Sequence, residues 1–135
     1  MIIKTVTTFN QKLYQEYAHR FIKTYNWPFE LIIYSEDHLI EITHKQTFDL
    51  IPQCKEFVDR NTGKSFGSVD PNDPSIIIEG ANYKMDAIRF CYKIFAKTHL
   101  MLDCDYDYVF WVDADIFFNK PITEKEVIKK FLPQD

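Results

Sequence analysis

Apolar positions along this chain recur in two distinct periods. Ile3 and Val6, flanked by threonines, predict a strand over residues 2–8. In residues 11–27, Leu13, Tyr14, Tyr17, Ala18, Phe21, Ile22 and Tyr25 return at spacings of three and four. That is a helix with one buried stripe, capped by Asn10 and stopped by Pro28. Residues 29–35 then form a nearly continuous apolar run around Leu31, Ile32 and Ile33. Strand, helix and strand within about 35 residues make a βαβ unit, whose crossover implies parallel pairing. Continuous apolar strands imply a sheet covered on both faces.

The pattern in residues 38–50 is open between a short helix and another strand. Pro52 opens a helix to Arg60, anchored by Phe57 and Val58 and ended by Asn61-Thr62-Gly63. Residues 63–80, with Gly67, Pro71, Asn72, Asp73 and Pro74, predict a loop holding a brief strand at Ile76-Ile77-Ile78. A second strong helix is expected over 82–99, burying Met85, Ile88, Cys91, Tyr92, Phe95 and Ala96. Its polar sides carry Asp86, Arg89, Lys93 and Lys97, and Lys93 is expected to be solvated. An acidic connector over 103–107 follows. Ile116-Phe117-Phe118 predicts the start of another strand, and Thr123 with Glu126 forms a capping box for a last helix.

Between these elements lies Tyr108-Val109-Phe110-Trp111-Val112-Asp113-Ala114-Asp115, an apolar strand ending in two carboxylates. The side-chain period of two puts Asp113 and Asp115 on one side and Ala114 on the other. Paired carboxylates repel each other and are costly to bury. A hard divalent cation, Mg²⁺ or Mn²⁺, resolves that conflict with oxygen ligands from the protein and from phosphate. The competing reading is a solvated turn. Asp105-Tyr106-Asp107 has the same spacing but precedes the strand, and reads as an ordinary polar turn. Trp111 reads as core.

Composition narrows the function classes. The chain has 135 residues, 46% hydrophobic and 16% aromatic with only 3 glycines, which fits one folded domain with a real core. A net charge of −4 without any basic run argues against nucleic acid as a partner. Cys54, Cys91 and Cys104 show no paired spacing, and the 4 histidines do not sit at ligand spacing with them. Buried thiols in a reducing compartment are expected, and zinc is not. No signal peptide or membrane span is legible, so a cytoplasmic location without a transmembrane segment is the expectation.

In combination these features resemble the N-terminal half of GT-A glycosyltransferases, the nucleotide-diphospho-sugar transferases. The resemblance is carried by Ile3-Lys4-Thr5-Val6-Thr7-Thr8, by Asn82-Tyr83-Lys84-Met85-Asp86-Ala87-Ile88-Arg89-Phe90, and by 106–115 with its Asp-x-Asp motif. It spans nearly the whole chain and is firmest over 82–121. It implies a Rossmann-like, doubly wound α/β fold with a mainly parallel sheet and helices on both faces. A sugar nucleotide, UDP-linked, would bind at the carboxyl ends of the strands, with Mn²⁺ or Mg²⁺. Asp115 would hold the metal, and Asp113 the metal or the ribose. Thr7 and Thr8 would approach base or ribose, with a polar strand end as the alternative. Asp37 is a further nucleotide-site candidate, ahead of Glu36. Arg89 would brace an aspartate or approach the donor, against the alternative of a solvated helix arginine. Tyr83 is a candidate stacking residue, and His19 and His44 read as structural or exposed.

Members of that family continue well past the metal motif, into a portion that binds the acceptor and supplies the general base. Here 20 residues follow Asp115, with no histidine among them. The expectation is therefore a donor and metal half-site in a single domain over 1–135, lacking the acceptor portion and any visible catalytic base. Such a chain is a glycosyltransferase acting on an unknown acceptor, as an excerpt or truncated product of a longer transferase; a non-catalytic nucleotide-sugar and metal-binding module; or a transferase whose site a second chain completes. Association with another copy or chain is expected in the last two cases, and a structural reading makes it a degenerate domain that only assembles with partners, its aspartates solvated.

Overall fold

The structure is a computed structural model, and it describes residues 1–62, 68–70, 72–78 and 87–134. Its centre is β1 (Ile3–Thr8), which pairs in parallel with β2 (Glu30–Ser35) on one side and β6 (Tyr108–Trp111) on the other. Val6 stands opposite Ile32 in one neighbour and Trp111 in the other. A short β3 (Lys45–Gln46) extends the sheet beyond β2, giving the order β3-β2-β1-β6 with every pairing parallel. This is a Rossmann-like α/β sheet, as expected.

The helices divide between its two faces by the alternation of β1. Val6, with Ile32 and Tyr34, packs against Cys54 of α4 (Pro52–Asn61) and Cys91, Ala96 and Leu100 of α5 (Ala87–Asp103). On the opposite face Ile33 and Val112 pack with Ala18 and Phe21 of the first helical rod. Lower on that face, Ile3 and Phe29 meet Val127 of α6 (Glu124–Phe131). Thr5 is buried there with its hydroxyl satisfied by the Tyr25 phenol at 3.0 Å. Both halves of the capping box at Thr123 are formed.

The first helical rod is not a uniform α-helix. α1 (Gln11–Leu13) passes into a π-helical turn (Tyr14–Ala18) and then into α2 (His19–Thr24). Asn10 caps its start by accepting from the Leu13 amide at 2.8 Å. Residues 38–50 realise both open alternatives, β3 followed at once by α3 (Thr47–Leu50).

Two expectations are corrected and one is extended. The brief strand expected at 76–78 is present within β5 (Asp73–Ile78), which pairs antiparallel with β4 (Ser68–Asp70) in a separate hairpin. The isoleucine run needed a pairing partner, which local composition does not reveal. α5 runs on to Asp103, absorbing the start of the acidic connector, while residues 82–86 lie outside the described residues. Residues 116–118 are not a strand. Phe118 instead folds back onto Phe21, Tyr25 and Trp27, with ring centroids 5.4, 5.2 and 5.8 Å away. Its amide donates to the Thr24 hydroxyl at 3.0 Å. Aromatic burial there outweighs extension along the sheet edge.

This packing sets a stability contrast. Phe21 is fully buried, so Phe21→Ala should cost about 3–5 kcal/mol in urea unfolding. Ile94 on α5 is 59% exposed, and Ile94→Ala should stay within about 0.5 kcal/mol. Equal effects of the two would show that the core is not where the structure puts it.

Candidate functional site

In an open parallel sheet the chain turns from one side of a central strand to the other, and the loops there diverge to leave a crevice. Here β1 and β6 flank that point, since β2 and β3 lie on the other side of β1. The residues leaving the carboxyl ends of these strands are Thr8, Asn10, Glu36, Asp37, Asp113 and Asp115.

Asp113 and Asp115 are held by their neighbours' burial. The Val112 amide extends the ladder past β6 by donating to the Val6 carbonyl at 3.1 Å. Val112 and Ala114 are buried in the core beneath the first helical rod, whereas Asp113 and Asp115 are exposed. Anchoring of Phe118 closes the segment from the far end. The in-out alternation thus continues beyond the last strand residue and leaves both carboxylates exposed at the carboxyl end of the sheet.

The two carboxylates have different company. The Trp111 indole N–H donates to Asp113 Oδ1 at 2.6 Å. Lys93 Nζ lies 3.7 Å from the same oxygen and 4.9 Å from the centre of the Trp111 ring. Lys93, expected to be solvated, is therefore engaged, with its charge held over an aromatic face beside a carboxylate. Both side chains keep solvent access, so the ion pair itself contributes only about 0.2–1 kcal/mol. Trp111 packs against the core as expected, but its N–H also serves the site.

Asp115 acts on the first helical rod through its charge. Burial pushes the Tyr17 phenol up from its ordinary range, and the Asp115 carboxylate adds to the rise more than Asp113 does. Arg89 opposes it. Tyr17 on the first rod and Arg89 on α5 therefore both lie within electrostatic reach of this end of the sheet. Tyr17 belongs to the π-helical turn, a feature that recurs at functional sites. In the sequence it reads only as part of the buried stripe.

On the β2 side the contacts are mutual. Asp37 accepts from the Gln11 amide at 3.0 Å and so fastens the tip of β2 to the start of the first rod. Glu36 is half-buried, and burial raises its carboxyl above the usual range, opposed by a hydrogen bond from Asn10. Of the two threonines, Thr8 donates to the Tyr34 carbonyl at 2.9 Å, bracing β1 against β2. Thr7 is fully buried on the face of the first rod, and its hydroxyl finds no partner among the described residues. A direct approach of Thr7 to a ligand in the crevice needs that cover to move. Tyr83 lies outside the described residues.

The remaining polar residues are structural. His19 Nδ1 meets the Tyr14 carbonyl at 2.9 Å, and His44 is tied to Leu39, Ile42 and Gln46. Asp107 joins the start of β6 to Ile2, consistent with a polar turn. None of the three cysteines forms a disulfide, and burial with the neighbouring Cys91 thiol pushes Cys54 up to about 12. Such a thiol is inert.

Asp113 and Asp115 offer carboxylate oxygens, the kind of donor that a hard divalent cation would take. Two exposed carboxylates stand at the crevice, and a positive charge already sits beside one of them. No group of three His, Cys, Asp or Glu side chains gathers among the described residues. The other ligands would then come from phosphate and water, the usual arrangement for Mg²⁺. Among the described residues no helix is long and apolar enough to cross a membrane. No family model, no curated protein and no solved structure matches this chain.

The raised Glu36 carboxyl fixes the sign of a pH effect. A group whose folded pKa lies above its unfolded value stabilises fully below the unfolded pKa and loses that contribution as pH rises through the folded one. Glu36→Gln should therefore raise the urea midpoint at neutral pH, with the gain vanishing below the ordinary carboxylate range. A gain independent of pH would contradict the burial assigned to this carboxyl.

Proposed function

We propose that this chain is the donor-binding domain of a metal-dependent glycosyltransferase of the GT-A type, taking a UDP-linked sugar. The observation that carries the reading is the exposed pair Asp113 and Asp115 at the strand-end crevice beside β1, with Lys93 and Arg89 on the adjoining helix. A nucleotide lies with its base toward the ends of β1 and β2, where Asp37 and Thr8 are the nearest of the expected contacts. The diphosphate reaches the carboxylates after β6. Mn²⁺ or Mg²⁺ held there supplies charge neutralisation for the diphosphate leaving group. Asp115 serves as metal ligand and Asp113 as metal or ribose ligand. Arg89 contributes positive charge where negative charge develops, which is where stabilisation accelerates a reaction.

Calorimetry with UDP and UDP-sugars, with and without Mn²⁺, tests this directly. Binding should require the metal, and Asp115→Ala should weaken it by at least about tenfold, the scale on which disturbing even a ligand's supports acts. Metal-independent binding, or binding undiminished in Asp115→Ala, would sink the reading. Donor hydrolysis on the same samples separates a transferase from a module that holds the nucleotide without turnover.

A further inference from the structure

The position of Lys93 deepens that reading and rests on it. Its ammonium lies 3.7 Å from Asp113 Oδ1, the oxygen that also accepts from the Trp111 indole N–H at 2.6 Å. Asp113 is thus already served by one cation and one neutral donor before any ligand arrives. The Lys93 stem rises from α5 and its charge rests over the Trp111 ring at 4.9 Å. Lys93 belongs to the early part of α5, and its contact with Asp113 sets that part of the helix beside the chain leaving β6. A long, flexible side chain placed there reaches the space above the carboxylates by rotation alone.

We propose that Lys93 is a stored cation: it neutralises Asp113 while the site is empty and turns to the donor diphosphate once a divalent cation takes Asp113. A divalent cation on Asp113 takes over the neutralisation of that carboxylate and repels the neighbouring ammonium, so the hold of Asp113 on Lys93 is lost. The nearest new anion is the diphosphate that arrives with the metal. Lys93 is then a positioning residue for the diphosphate, and the aromatic face of Trp111 keeps it close during the exchange. No chemical bond is made or broken in the switch. The consequence is an ordered preference: the free site discriminates against metal alone and accepts metal together with nucleotide.

Lys93→Met keeps the stem on Trp111 and removes the charge. In titrations read by tryptophan fluorescence, Mn²⁺ alone should bind the variant about two- to fivefold more tightly than the unaltered chain, the size expected for an exposed ion pair. Trp111→Phe should abolish the signal. UDP binding at saturating Mn²⁺, read by calorimetry, should weaken about tenfold or more in Lys93→Met, as for loss of a charged hydrogen bond. Lys93→Arg should restore most of the UDP affinity. These opposite signs are the signature, since mere structural damage would weaken both. Unchanged values in Lys93→Met, or equal weakening of both, overturn the stored cation and leave the metal site standing. Absence of metal-dependent UDP binding in the unaltered chain overturns the site itself and this inference with it.

Discussion

Everything in this structure hangs on β1 being paired on both edges and covered on both faces. Its backbone is satisfied by β2 and β6, and its side chains divide between two helical layers. A strand in that position has no face left for solvent, which is why Thr5 and Thr7 are as buried as Val6. The polar cost is met where a partner exists, as for Thr5 with Tyr25, and is left standing at Thr7. The same constraint makes the crevice, because a chain that fills one side of β1 and returns on the other must part its loops above it.

The site inherits its geometry from this parting. α5 and the first helical rod lie on opposite faces, so their side chains can meet only over the strand ends. Lys93 approaches Asp113 from one side, and on the other the Tyr17 phenol feels the charge of Asp115. Between them the carboxylates are fixed by the burial of their apolar neighbours, Val112 and Ala114. Anchoring by burial of these two apolar neighbours leaves the carboxylates themselves exposed to solvent. The Phe118 cluster then locks the outgoing chain, so the carboxylates sit on a segment tied down at both ends.

Charge balance gives the site its character. A pair of carboxylates in a crevice raises the energy of the empty state, and the Lys93 ammonium with the Trp111 N–H relieves part of it. On the β2 side Asp37 is spent on the Gln11 amide, which ties the first rod to the sheet. Glu36 is left half-buried with its carboxyl less acidic than usual. The acidic residues at this edge therefore do different work despite their common location.

The sequence alone determined the elements with strong local signals: the βαβ beginning, the Pro52 helix start, the capping box at Thr123, and the apolar strand ending in Asp113 and Asp115. These follow from side-chain period and backbone preference within a few residues, so no distant part of the chain is needed to read them. The tertiary structure decided what depends on distant partners. Ser68–Asp70 gave β5 a partner, and Phe118 found an aromatic nest and left the expected strand. Lys93 was drawn to Asp113, and the first helical rod took a π-helical turn at Tyr14–Ala18 that periodicity does not announce. Lys93 was within reach of sequence reasoning, since a helix leading into a parallel strand sets its early turns beside that strand's end. Which oxygen it would meet was not, because that is fixed by packing between residues 20 positions apart.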